Sequence, residues 1–174
     1  MSNELFNRYT LLQHLRQQFQ MDWWGHHGIA HWARVRANGI MLAGQTGANR
    51  HVVELFAFFH DSCRMNEHED EGHGVLGAAL AKHLKGKFFD ATDHEMDLLS
   101  YACEHHSDGM VKGDPTVLTC WDADRLDLWR VGIIPKARYL GTEAARTDVV
   151  MAKANRRAQV WCDVYDAKHD NNEP

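Results

Sequence analysis

Apolar residues recur along this chain at spacings of three and four, and no segment alternates with period two. That pattern predicts helices and requires no strands. A first helix runs from about Glu4 to Phe19, with Leu5, Tyr9, Leu12 and Phe19 roughly in phase. A second runs from near Gly28 to about Gly44, a third from Arg50 to Cys63, and a fourth from near Glu71 to Gly86. Thr92-Asp93-His94-Glu95 is a capping-box pattern that opens a fifth helix ending at His106. Asp114-Pro115, a cap followed by proline in the first turn, opens a sixth that reaches about Arg130. A last helix covers about Thr142 to Ala167, and the tail KHDNNEP is expected to be disordered. There is no repeat and no Pro/Gly/Ser-rich linker. The expectation is an all-α, single-domain bundle of about six to eight helices over the whole chain.

Helical phase also places polar residues on apolar faces. In the fourth helix the face is Leu76, Gly77, Leu80 and Leu84, and one step back lies His73. In the fifth, Leu98, Leu99, Ala102 and Cys103 lead to His105 and His106. In the sixth, Val117, Cys120, Trp121, Leu128 and Val131 form a stripe whose one polar member is Asp124. In the third, Val53, Phe56 and Ala57 lead to His60, beside Asp61; in the second, His31 stacks one turn below Val35. A polar group sent into a core without a partner costs about 2–7 kcal/mol, and an ionised carboxylate costs more. One such residue is ordinarily satisfied by a buried hydrogen bond. Five helices that each point His or Asp inward are better explained by a shared cation, which offsets all of those desolvation terms together. Neutral imidazole and carboxylate are ligands that borderline and hard divalent ions accept. His60 and Asp61 sit about 100° apart on a helix, and near its end both can reach one ion.

Composition narrows the class. With 174 residues, 44 % hydrophobic and 25 % charged, the chain suits one ordinary globular domain. A net charge of −5 argues against a nucleic-acid platform. No apolar run approaches about 18 residues, so no membrane span is expected. The N-terminus has charge within it and no small-residue cleavage site, so a secretory signal is not expected and the default address is cytoplasmic. Four scattered cysteines without a CxxC read as small buried hydrophobes in a reducing compartment.

His31, then His60-Asp61, then Asp124, in that order and on helices, resembles the HD-domain superfamily of metal-dependent phosphohydrolases. HWARV around His31 is similar to the family's His-x-x-Arg-Val helix, FHD to the end of its metal helix, and DADRLDL to its late segment, with Asp124 at the ligand position. The resemblance covers roughly residues 28–140. It implies an all-helical fold and one divalent ion (Mn, Fe, Co, Ni, Mg or Zn) held by His31, His60, Asp61 and Asp124. It further implies a metal-activated water that attacks a nucleotide or other small phosphate ester. Dinuclear members add histidines between the HD pair and the final Asp. GHGVLG places His73, and EHHSDG places His105 and His106, at similar positions, as candidates for a second ion. The latter pair resembles the cyclic-dinucleotide phosphodiesterase branch, but DGMVKGDP stands where that branch has GYP, which speaks against cyclic dinucleotides. Two rivals stay open: a di-iron oxygenase of the same superfamily, and a non-catalytic regulatory module with a structural metal.

The remaining candidates each have a plain alternative. Asp61 is carried as a catalytic residue as well as a ligand. Arg64, one turn past His60, and Arg125 are phosphate clamps or salt-bridge arginines. Glu67 is the general-base candidate of an otherwise solvated acidic loop. His27 is a cap, a residue that supports a ligand, or a substrate contact; Asp122 and Asp127 are solvated helix charges, or one of them is a carboxylate that orients a ligand or the attacking water. Trp23, Trp24 and Trp32 are core anchors or stacking surfaces for a nucleobase. Lys153, Arg156 and Arg157 mark a wet helix face or a homo-oligomer surface. His14, His51, His94 and His169 have no metal-like context.

Overall fold

The structure, a computed structural model, describes residues 6–169. Seven α-helices form there: α1 (Arg8–Gln18), α2 (Ile29–Thr46), α3 (Arg50–Phe59), α4 (His73–Leu84), α5 (Asp93–Glu104), α6 (Pro115–Arg125) and α7 (Asp148–His169). Two short 3-10 turns, Leu128–Val131 and Ala137–Tyr139, join α6 to α7. No sheet forms among the described residues, where isolated bridges pair Phe6 and Lys85 with Phe89. The fold is all-α, as the hydrophobic spacing requires.

α3 is the axis. Every residue from His51 to Phe59 is buried, and the helix packs against α2, α4, α5 and α6. A largely apolar helix is stable in such a position, and its two buried polar side chains are paired: Glu54 with Arg8 and Arg36, His51 with the Asp90 carbonyl. Leu55, Phe56 and Phe59 are fully buried beside Trp32 and Trp121, each apolar side chain contributing roughly 1.5–3 kcal/mol. α7 closes a smaller cluster of Leu42, Leu126, Leu140, Ala145, Val150 and Ala154. The expected start signals form as bonds. Thr92 Oγ1 accepts from the Glu95 amide and Glu95 Oε2 accepts from the Thr92 amide, while Asp114 Oδ1 caps the Thr116 amide at 2.7 Å.

Several boundaries differ from the sequence expectation. α3 stops at Phe59, because His60 begins a tight turn in which the Ser62 hydroxyl and amide both bond the Phe59 carbonyl. α6 stops at Arg125, and Leu128 belongs to the following 3-10 turn rather than to its stripe; Val131 is outward. α7 starts at Asp148 instead of Thr142, since Asp122 ties down the preceding segment through the Gly141 and Thr142 amides and the Thr142 hydroxyl. α1 buries Leu11 and Leu15 and turns Tyr9 outward, so its phase differs from the one expected; Leu5 lies outside the described residues. Leu76 faces outward on α4, and Trp24 is exposed and anchors nothing. Of the four free cysteines only Cys103 and Cys120 are buried. The tail expectation falls largely on residues 170–174, outside the described residues, and α7 itself continues through His169.

Candidate metal centre

The ends of five helices meet at one place. His31 lies in the first turn of α2, His60 caps the C-terminus of α3, and Asp61 follows in the turn. His73 is the first residue of α4, His106 lies just past α5, and Asp124 is in the last turn of α6. Local sequence explains each placement. The ring of Phe56 stacks on His60 at 4.8 Å, one turn apart on the same face. Gly72, with φ of 87°, supplies the left-handed residue from which α4 starts at His73. Gly74 lets α4 approach α5 so closely that a Cβ there would lie 2.2 Å from the Cys103 carbonyl oxygen.

The donor atoms form two groups that share a carboxylate. His31 Nε2 lies 3.1 Å from His60 Nε2, 3.3 Å from Asp124 Oδ1 and 3.4 Å from Asp61 Oδ2. His73 Nε2 lies 3.0 Å from His106 Nε2 and 3.2 Å from Asp61 Oδ1, and His106 Nε2 is 3.6 Å from the same oxygen. Each oxygen of Asp61 therefore faces a different histidine pair.

The other ring nitrogens fix what these atoms can do. Nδ1 of His31 bonds Asp127 Oδ2 at 2.7 Å. Nδ1 of His60, His73 and His106 bonds the carbonyls of Phe56, Asp70 and Cys103 at 3.1, 2.5 and 2.7 Å. A carbonyl or carboxylate only accepts, so all four Nδ1 atoms carry the proton. In the neutral rings all four Nε2 lone pairs then converge in facing pairs, an arrangement that needs a positive charge between them. Separations of 3.0–3.7 Å suit donors arrayed around a common ion at about 2.0–2.2 Å, the distance of zinc from nitrogen and oxygen ligands. The residues present fit divalent cations. His31, His60 and Asp124 form one group that could hold an ion; Asp61, His73 and His106 form another.

Electrostatics agree. Burial works to raise the carboxyls of Asp61 and Asp124, but the imidazoles around them outweigh it and hold both well below the usual carboxylate range. Burial, followed by the Arg130 charge, pushes His31 down, yet hydrogen bonds to Asp124, Asp127 and Asp61 overcome both and lift it to about 9. Burial lowers His60. Without a cation, one proton on His31 facing a neutral His60 relieves the clash of lone pairs.

A family model for the HD domain matches residues 28–143, two thirds of the chain. The chain belongs to the HD-domain family. No curated protein and no solved structure matches it significantly. HD domains bind divalent metals, and the two donor groups of this HD domain lie on the helix ends just described.

Of the histidines singled out from the sequence as ligands, His105 is the one that joins neither donor group. It is the C-cap of α5, half exposed, and its Nδ1 bonds Asp108 Oδ2 at 2.7 Å; His106 alone of the pair joins the cluster. The two differ because the helix ends at Glu104, and the turn that follows carries His106 inward while His105 faces Asp108. Arg125 does not clamp the site: its Nη1 donates to the Met110 and Tyr139 carbonyls. Arg64 is anchored by the Asn66 and His68 carbonyls, with Nη1 3.7 Å from Asp61 Oδ1. Glu67 Oε2 accepts from His27 Nδ1 at 2.5 Å. Burial pushes His27 down to about 4, so that ring is neutral at pH 7.

Asp122 and Asp127 take different tasks. Asp122 holds the chain entering α7, as described above. Asp127 is buried, and beside His31 it receives Arg34 through Nε at 2.7 Å and Nη2 at 3.0 Å. The Arg34 guanidinium in turn lies 4.5 Å from the Trp161 ring of α7. Sequence reading left Asp127 undecided and gave Arg34 no task. The available signal was spacing: His31 and Arg34 are three apart on α2, and Asp124 and Asp127 are three apart at the end of α6, so each pair shares a side.

An open cleft of about 520 Å³ reaches the second group, with Arg64, His73 and His106 in its wall and Glu69, Glu71, Glu104 and Asp108 around it. No helix among the described residues is long and apolar enough to cross a membrane.

Proposed function

We propose that this HD domain is a metal-dependent phosphohydrolase that takes a nucleotide or another small phosphate ester, acting as one unit across the chain. His31, His60 and Asp124 would hold one divalent ion, and Asp61, His73 and His106 would hold a second. The observation that carries the reading is the convergence of four Nε2 lone pairs on the two oxygens of one buried carboxylate. Members of the superfamily are generally metal-dependent hydrolases, which supports the same chemistry. Bound there, divalent ions bring the pKa of a coordinated water toward neutrality and polarise a phosphoryl oxygen.

The chain's own residues supply the rest. Asp127 and three backbone carbonyls hold the histidines in the tautomer that presents Nε2. Glu67, bonded to the neutral His27, would accept the proton from the attacking water. Arg64 faces Asp61 from the cleft side, where a guanidinium matches phosphate oxygens. The acidic residues around the cleft disfavour a polyanionic nucleic acid and leave a small ester as the occupant.

The test is phosphate release from a panel of nucleotides and small phosphate esters with added Mn, Fe, Co, Ni, Mg or Zn. Wild type should release phosphate, and Asp61→Ala should not. Glu67→Gln should lose about 10²–10⁴-fold in kcat while retaining its metal. No release with any metal, together with oxygen uptake by the iron-loaded chain, would overturn the reading in favour of an oxygenase.

A further inference from the structure

The match to the HD family ends at residue 143, yet α7 touches the support of the metal centre. Trp161 of α7 is partly buried, and the Arg34 guanidinium lies over its ring at 4.5 Å. Arg34 is 8 % exposed and holds Asp127 through two bonds, Nε to Oδ1 at 2.7 Å and Nη2 to Oδ2 at 3.0 Å. Oδ2 also accepts from His31 Nδ1 at 2.7 Å. Three contacts thus run from Trp161 to a histidine of the first donor group: ring to guanidinium, guanidinium to carboxylate, carboxylate to imidazole. A guanidinium makes its hydrogen bonds in its own plane, and its faces are left for stacking. An aromatic ring within about 6 Å of such a face attracts the cation. The ring also covers the fork, and bonds to a carboxylate are stronger where water is kept away. Trp161 is itself held: Tyr165 stacks on it at 4.8 Å, and the His26 ring meets it edge-on at 5.4 Å.

We propose that Trp161 is a positioning residue of the metal centre, acting through Arg34 and Asp127 to aim His31 Nε2 at the ion. The inference rests on the metal-binding half of the proposed function and is independent of the substrate. It gives α7, which lies outside the family match, a task beyond closing the small cluster around Leu42. That cluster takes Val150 and Ala154 from the same helix, so packing of α7 and aim of His31 can be separated by substitution. Loss of a residue that orients a metal ligand weakens metal affinity by about 10–100-fold. Trp161 stands two contacts beyond Asp127, which puts its loss at the low end of that range.

The experiment is a zinc titration of the metal-free full chain against a chromogenic chelator, with the melting temperature as a second readout. Trp161→Leu should weaken zinc binding by about tenfold, while Trp161→Phe, which keeps an aromatic face, should stay within about threefold of wild type. Val150→Ala, which loosens α7 away from Arg34, should lower the melting temperature and leave zinc affinity unchanged. In an Asp127→Asn background Trp161→Leu should have no further effect, because the path to His31 is already cut. Arg34→Lys keeps the charge, loses the planar fork, and should weaken zinc by about tenfold or more, which carries the test if Trp161→Leu fails to fold. Wild-type affinity in Trp161→Leu or Arg34→Lys, an equal loss in Val150→Ala, or a full effect of Trp161→Leu in the Asp127→Asn background would each overturn the proposal. The predicted zinc pattern in a chain that releases no phosphate would overturn the hydrolase reading alone, and a wild type that binds no zinc would overturn both.

Discussion

At the residue scale, the centre is set by hydrogen bonds one step removed from the converging atoms. Asp127 illustrates this. Its carboxylate holds the His31 ring and is itself held by Arg34, so removing its charge frees both. Asp127→Asn should weaken divalent-metal affinity by about 10–100-fold with helical content unchanged, as measured by competitive chelation and circular dichroism. An unchanged affinity would show that Asp127 merely pairs with Arg34. pH gives a second check. In the metal-free chain His31 is raised to about 9 from an ordinary value of 6.5. Its contribution to stability is therefore full below about pH 6.5 and is lost as pH rises toward 9, by no more than about 1.4 kcal/mol per pH unit. Asp61 and Asp124 are depressed, so their contribution is present above about pH 4 and lost as pH falls through their folded values. The melting temperature of the chelated chain should fall between pH 6.5 and 9. Metal loading should abolish that fall, because a ligand imidazole must be neutral. A flat profile for the chelated chain would remove the shared proton from the account.

At the element scale, most helices were legible and their ends were not. Capping signals at Thr92 and Asp114 are local chemistry and formed as read. The ends of α3, α5 and α6 were misplaced or ambiguous because each runs into the metal centre, where a turn replaces helical continuation and re-aims a side chain. That is why His105 and His106 could not be separated from spacing alone, while His31, His60, His73 and Asp124 all fell on inward faces and Asp61 was read as the neighbour of His60. Asp127 and Arg34 were harder to read, since a buried ion pair across two elements leaves no local signature. Glycine carries a further part of the placement. Gly74→Ala would drive a methyl against the Cys103 carbonyl that holds His106, while Gly44, on the open side of α2, has nothing within 4 Å. Gly74→Ala should cost about 1–3 kcal/mol in a denaturant titration. Gly44→Ala should gain about 0.5–1 kcal/mol. Equal effects at the two sites would contradict the close approach of α4 and α5.

At the scale of the whole molecule, a helix buried from His51 to Phe59 is capped by His60 and leads straight into Asp61, and four further helices deliver their termini to the same point. Burying two carboxylates and four imidazoles there is costly without cations. The apolar core around α3 supplies the rigidity that holds them apart at ligand spacing. The central claim of the proposed function is that the two donor groups would hold two divalent ions, with His106 and not His105 serving the second. The most direct measurement is the metal content per chain, by mass spectrometry, of wild type, His105→Ala and His106→Ala after loading and desalting. The account predicts two ions in wild type, two in His105→Ala and one in His106→Ala. A single ion in wild type, or a count that drops with His105→Ala and not with His106→Ala, would contradict it.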